Sequence, residues 1–140
     1  MSVFVDTSAL YALFDRDDRR HGEAAEVWSH LVAHYRPLIT SNYVLVETTA
    51  LLQRRIGLPA VHDLEDHILP FLTVRWITEP LHRRALVRLR KEDRREVSLV
   101  DYSSFELMES EAVGEAFALD EDFASAGFRL LPSGRSDAAP

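Results

Sequence analysis

The sequence contains no cysteine. That absence removes disulfides, thiolate zinc sites, iron–sulfur clusters and cysteine nucleophiles together. It fits a cytoplasmic protein that needs no covalent staples. Long apolar runs are missing as well. Stretches such as Val44–Val46 and Ala50–Leu52 fall far short of the ~18 residues that span a bilayer. The opening MSVFVDT has no basic segment and soon meets Asp6, so no signal peptide is expected. No Walker A, G-x-G-x-x-G, H-E-x-x-H or G-x-S-x-G pattern occurs. His30 and His34 stand i, i+4, but no third ligand accompanies them. These gaps leave a soluble, cytoplasmic chain with no membrane partner. Its 140 residues fit one domain, placed at 1–132, with a Ser/Asp/Ala/Pro-rich tail at 133–140 expected to fray.

What is present is ordinary globular material, 46% hydrophobic and 28% charged. The net charge is −7, which taken alone argues against a nucleic-acid partner. The charge is uneven, however. Within HRRALVRLRKEDRR, Arg83, Arg84, Arg88, Arg90, Lys91, Arg94 and Arg95 face only Glu92 and Asp93. An acidic body carrying one basic strip differs from a uniformly acidic protein, and the strip is a candidate contact for RNA or a partner, or a solvated helix face.

Apolar patterning gives the layout. Short runs rich in β-branched and aromatic residues predict strands at Ser2–Val5, Leu38–Thr40, Phe71–Ile77, Ala116–Leu119 and Phe128–Leu131. Helical spacing predicts helices after Asp6-Thr7-Ser8, over Gly22–Tyr35, over Tyr43–Arg55, over 60–69, from Glu79 onward, and from Ser98 to about Ala112. Strands alternating with helices point to an α/β sandwich with a central, mainly parallel sheet flanked by helices. In such sheets ligands bind beyond the carboxyl ends of the strands.

Carboxylates fall at those places. Asp6 ends the first strand, and Asp120 and Asp122 end a later one. Glu47 lies early in the helix after the second strand, and Asp101 lies in the first turn of the helix at Ser98. Each Asp has a structural reading: helix cap for Asp6, capping box for Asp101, turn former for Asp120. Glu47, set in VLVETTALL, is harder to place structurally, because a Glu at the margin of a core is costly unless paired or metal-bound. Clustered carboxylates repel one another, and a divalent cation removes that penalty. Hard ions such as Mg²⁺ or Mn²⁺ prefer oxygen ligands, and such ions hydrolyse phosphodiesters. A basic strip nearby supplies the attraction for phosphates that an acidic site lacks.

FVDTSALYALF, the H-x-x-A from His21 to Ala24, LITSNYVLVETTALL, SLVDYSSFELM and ALDEDFASAGFRLLP occur in this order between Ser2 and Pro132. Together they resemble the PIN-domain endoribonucleases, specifically the VapC-type toxins of bacterial toxin–antitoxin pairs. The resemblance implies a three-layer Rossmann-like sandwich and Mg²⁺-dependent RNA cleavage, with Mn²⁺ as a substitute. It places the catalytic, metal-holding acids at Asp6, Glu47, Asp101 and Asp120, with Asp122 as a helper. It sets Thr7 or Ser8, and Ser104, near the site, where they would orient water or phosphate, with capping or packing the alternative for Ser8 and Ser104. It also implies a homodimer and a small antitoxin that blocks the cleft. The region from about Gly57 to Glu96 carries no motif of the family.

Three rival readings fit the residues less well. A haloacid-dehalogenase-type phosphatase needs a second Asp where Ser8 stands. A response-regulator receiver domain needs acids before Asp6 and a late-strand lysine, but Val5 precedes Asp6 and the only lysine is Lys91. A catalytically inactive PIN-like RNA- or protein-binding module would have no need of the full set of acids.

Overall fold

Val3, Phe4 and Val5 form β1 (Val3–Val5), and all three are fully buried. Successive strand residues point to opposite faces, so both faces of the sheet are covered at its centre. The computed structural model describes residues 1–133. β1 is followed by α1 (Thr7–Phe14), α2 (His21–Ala33), β2 (Leu38–Ser41), α3 (Asn42–Arg55) and α4 (Leu58–Asp63). Then come β3 (Leu72–Arg75), α5 (Glu79–Glu92), α6 (Leu99–Ser110), β4 (Glu115–Phe117), α7 (Asp122–Ser125) and β5 (Arg129–Leu131).

The strands form one five-stranded sheet in the order β3-β2-β1-β4-β5, and every pairing is parallel. The inner strands β1 and β2 are continuous buried runs, whereas the edge strand β3 alternates between half-buried and exposed residues. That is the pattern expected when helices cover a parallel sheet. The chain leaves β1 toward β2 and β3, then returns to β4 on the other side of β1. The reversal opens a crevice beyond the carboxyl ends of β1 and β4. The two strands run in register there, with Val5 opposite Phe117 and the Asp6 N–H donating to the Phe117 carbonyl at 3.0 Å.

One hydrophobic core unites the elements. Phe123 of α7 is fully buried; its ring meets Phe105 of α6 edge-on at 4.9 Å and lies 6.3 Å from Phe4 of β1. No described helix is long and apolar enough to cross a membrane.

The structure amends several expected elements. The helix expected over 60–69 is α4 continued by a π-helical turn (Leu64–Ile68) and a 3₁₀ turn (Leu69–Phe71). Pro70 is the physical reason, since it has no N–H and its ring crowds the preceding turn. The strand expected over Phe71–Ile77 narrows to Leu72–Arg75. The Asn42 side chain accepts the Ile77 N–H at 2.7 Å and draws the chain off the sheet, leaving Trp76 73% exposed. β4 starts one residue earlier than expected, at Glu115, and ends at Phe117: the Ala118 N–H closes the ladder on the Leu131 carbonyl of β5, and the next N–H, that of Leu119, leaves the sheet for the Ser8 hydroxyl. The turn α7 was not expected at all. Of the expected tail, residues 134–140 lie outside the described part.

Candidate active site

Asp6 is the N-cap of α1. One oxygen, Oδ2, accepts the Ser8 N–H at 3.0 Å and the Ser8 hydroxyl at 2.7 Å. The Ser8 hydroxyl in turn accepts the Leu119 N–H at 2.9 Å, tying Asp6 to the chain leaving β4. The other oxygen, Oδ1, is buried and has no hydrogen-bond partner. Orphaned buried acceptors are rare, because each forfeits its hydration. Burial raises the Asp6 pKa to about 7; Ser8 opposes the shift, and the charges of Asp101 and Glu47 add to it.

Asp101 occupies the third position of α6 and completes a capping box with Ser98. Its Oδ2 accepts the Ser98 N–H at 3.0 Å while the Ser98 hydroxyl accepts the Asp101 N–H at 3.1 Å. Burial, then the charges of Asp120 and Glu47, raise its pKa to about 6 against the lowering effect of Ser98. Asp120 accepts the Asp122 N–H at 2.9 Å, a local turn that starts α7. Burial and the Asp120 charge raise the Asp122 carboxyl, and Arg94, 3.5 Å from it, opposes them. Carboxylate oxygens of Asp101, Asp120 and Asp122 all lie within 4.8 Å of one another. Glu47 is half-buried on α3, beside the buried seam of Val44, Thr48 and Leu52, and its charge reaches both Asp6 and Asp101.

The acids at the strand ends therefore share one electrostatic neighbourhood. Asp122 belongs to its tightest part, not its margin. Phe123 is the residue that sequence reasoning passed over. It follows Asp122 directly in α7, and its docking on Phe105, one turn beyond Asp101 in α6, brings Asp120 and Asp122 beside Asp101. Its only sequence signal is an aromatic directly after Asp120-Glu121-Asp122, a run that reads as a turn.

The hydroxyls divide. Ser8 positions Asp6 directly. Thr7 is buried, donates to the Val44 carbonyl at 3.3 Å and accepts from Thr48 at 3.0 Å, so it joins α1 to α3. Ser104 is fully buried and donates to the Val100 carbonyl at 3.0 Å within α6. The hydroxyls of these two are engaged inside the frame, the packing alternative for Ser104.

The basic strip divides too. Arg83 pairs with Glu79, and Arg84 with Glu106. Arg88 pairs with Glu92, Glu106 and Glu109 and lies over the Tyr102 and Phe105 rings. Arg94 reaches Glu96 at 2.9 Å as well as Asp122. Among the described residues Arg90, Lys91 and Arg95 have no ion-pair partner. The strip is thus no single cationic surface, and Arg88 is held among three acids between α5 and α6. A cavity of about 600 Å³ lies along this α5–α6 face and includes none of the clustered site acids.

The PIN domain family model matches residues 3–129. The chain belongs to the PIN-domain family. Among curated PIN-domain relatives, it is 40% identical over 128 residues to the 23S rRNA-specific endonuclease VapC20 of Mycobacterium tuberculosis, covering 90% of this chain and 95% of that one. The crystal structure of VapC20, described as a sarcin–ricin loop cleaving toxin, superposes with a TM-score of 0.79 at 39% identity, covering 90% of this chain and 95% of that one. PAE2754 of Pyrobaculum aerophilum shares the fold with a TM-score of 0.65 at 17% identity, covering 94% and 90% of the two chains. FitAcB of Neisseria gonorrhoeae shares it with a TM-score of 0.65 at 16% identity, covering 93% and 96%.

Proposed function

We propose that the protein is a divalent-metal-dependent endoribonuclease, the toxin of a toxin–antitoxin pair, and that it cuts large-subunit ribosomal RNA at the sarcin–ricin loop. The observation that carries this reading is the unpartnered, buried Asp6 Oδ1 among carboxylates that otherwise repel one another. An oxygen-only donor set of this kind fits Mg²⁺ or Mn²⁺. Asp6, Asp101 and Asp120 would hold the cation, with Glu47 and Asp122 completing or supporting the set. When bound, such an ion acidifies water for attack on the phosphorus and offsets charge on the leaving 3′-oxygen.

The chain's own residues supply the rest. Ser8 fixes the rotamer of Asp6 through Oδ2 and leaves Oδ1 available. Ser98 does the same for Asp101. The raised pKa values of Asp6 and Asp101 make protons the natural competitors of the cation, so loading releases protons. The target comes from the relative's described substrate at 40% identity. A cytoplasmic location, a homodimer and a small antitoxin that covers the crevice complete the proposal.

The test is cleavage of ribosomes or total RNA by the purified protein in Mg²⁺, with end mapping. Cleavage confined to the sarcin–ricin loop and stopped by EDTA is expected. Asp6→Asn and Asp101→Asn should each lose more than the ~100-fold that outer-shell partners of metal sites carry. Cleavage that persists in EDTA, or in both variants, overturns the reading.

A further inference from the structure

A site built from carboxylates repels the polyanion it is meant to cut, so the chain must hold RNA with cations placed beside the acids and not consumed by them. The α5–α6 connection meets that requirement. Asp93 adopts the left-handed conformation (φ 53°) as the C-cap of α5, and its N–H bonds the Leu89 carbonyl. The reversal folds Arg94 and Arg95 back beside Arg90, on the last turn of α5. These three arginines and Ser98 line one cavity of about 460 Å³, with Leu89 and Val97 as an apolar part of its wall. The acid within it is Asp93, against three guanidinium groups.

The cavity adjoins the acidic crevice at two points. Ser98 belongs both to its wall and to the capping box that holds Asp101. Arg94 belongs both to its wall and to the contact with Asp122. Arg94 is bound to acids already, whereas Arg90 and Arg95 have no ion-pair partner among the described residues. Planar guanidinium groups present paired donors that match phosphate oxygens, and an apolar wall strengthens such contacts.

From this juxtaposition we infer that Arg90 and Arg95 form a phosphate-anchoring subsite, which seats an RNA backbone phosphate next to the one being cut. The inference rests on the ribonuclease reading for its substrate, but its test is read without cleavage. Arg94 stays unaltered in that test because it touches Asp122.

The experiment measures binding of a fluorescein-labelled sarcin–ricin-loop hairpin by anisotropy, in EDTA, from 50 to 200 mM salt. The full-length wild-type protein is compared with R90Q/R95Q and with R83Q/R84Q. The last removes the same charge from arginines that are already paired. R90Q/R95Q should bind about tenfold more weakly and lose about 1.4–1.8 units of salt slope, the value of two phosphate contacts. R83Q/R84Q should stay within about threefold of wild type and keep its slope, and circular dichroism should show both variants folded. An unchanged R90Q/R95Q, or an equal loss in both variants, overturns the subsite. So does a result in which R90Q/R95Q keeps RNA binding but loses affinity for poly-L-glutamate, which would make the surface a dock for an acidic protein. Failure of the wild type to cut RNA in Mg²⁺ would instead strike the ribonuclease reading and leave the binding comparison standing.

Discussion

The carboxyl edge of the sheet and the α5–α6 face both concentrate acidic side chains, yet they treat them oppositely. On the α5–α6 face Glu92, Glu106 and Glu109 each meet Arg88, and Glu106 meets Arg84 as well. At the sheet edge Asp6, Glu47, Asp101, Asp120 and Asp122 lie within reach of one another's charge, and the cation that touches the group is Arg94. Paired acids lock one helix to another. Acids left to repel one another hold a position that folding alone would not favour, and a ligand of opposite charge is what relieves it. The difference separates architecture from function more sharply than composition does.

The largest effect that would break this contrast is expected at the aromatic anchor shared by the two regions. Phe105 lies under Arg88 on one side and against Phe123 on the other. Phe123→Ala removes a fully buried ring and should cost about 3–5 kcal/mol in denaturant unfolding. It should also weaken Mg²⁺ binding, measured by calorimetry, because Asp120 and Asp122 lose their hold on α6. Normal metal affinity in a destabilised Phe123→Ala protein would show that the acids are placed by their own loop.

A smaller effect follows from protonation. Asp6 titrates near 7 in the folded protein against 3.8 as a model group. Between those values the folded state binds more protons than the unfolded one, so stability falls as pH rises toward 7 and levels off above it. Asp101 adds a slope of the same sign, ending near 6. For the metal-free wild type, compared with Asp6→Asn, the change from pH 5.5 to 8 should lower relative stability by about 2 kcal/mol, or roughly 5 °C in Tm. Saturating Mg²⁺ should erase the difference, since it stabilises the folded state where the proton is lost. A relative Tm that rises with pH would contradict the buried, unpaired state of Asp6.

The smallest effects are expected on the paired face. Arg83 and Glu79 form an exposed i, i+4 pair, so Arg83→Gln should change stability by less than about 0.5 kcal/mol. Arg88→Gln should cost more, about 1–2 kcal/mol, because Arg88 is shielded and its loss takes the cation from Glu92 and Glu109 and leaves Glu106 with Arg84 alone. Neither should alter Mg²⁺ affinity. A change in metal affinity in either variant would mean that the two regions are not separate.

The sequence carried the strands and most helices because short apolar runs bracketed by Asp6-Thr7-Ser8, Ser41-Asn42 and Ser98 signal strand ends and helix starts locally. The acids were legible for the same reason, since each sits at such a junction. Other features depend on long-range contact. Glu106 and Glu109, which neutralise part of the basic strip, lie about twenty residues beyond their arginines. The engaged hydroxyls of Thr7 and Ser104 look identical in sequence to free ones. The short helix α7 has too few residues to show a period, and only the burial of Phe123 reveals it.

Asp6 and Asp101 each cap a helix with the same carboxylate that the proposed chemistry requires. That double duty shapes how such a gene can be silenced. Most replacements at these codons remove the cap as well as the ligand, and losing a cap costs about 0.5–2 kcal/mol. At the Asp6 N-cap asparagine or serine keeps the cap while removing the charge, and at Asp101, the third position, asparagine keeps an acceptor for the Ser98 N–H. The path to a harmless but well-folded descendant therefore runs through very few substitutions, with Asp→Asn at these two positions foremost among them.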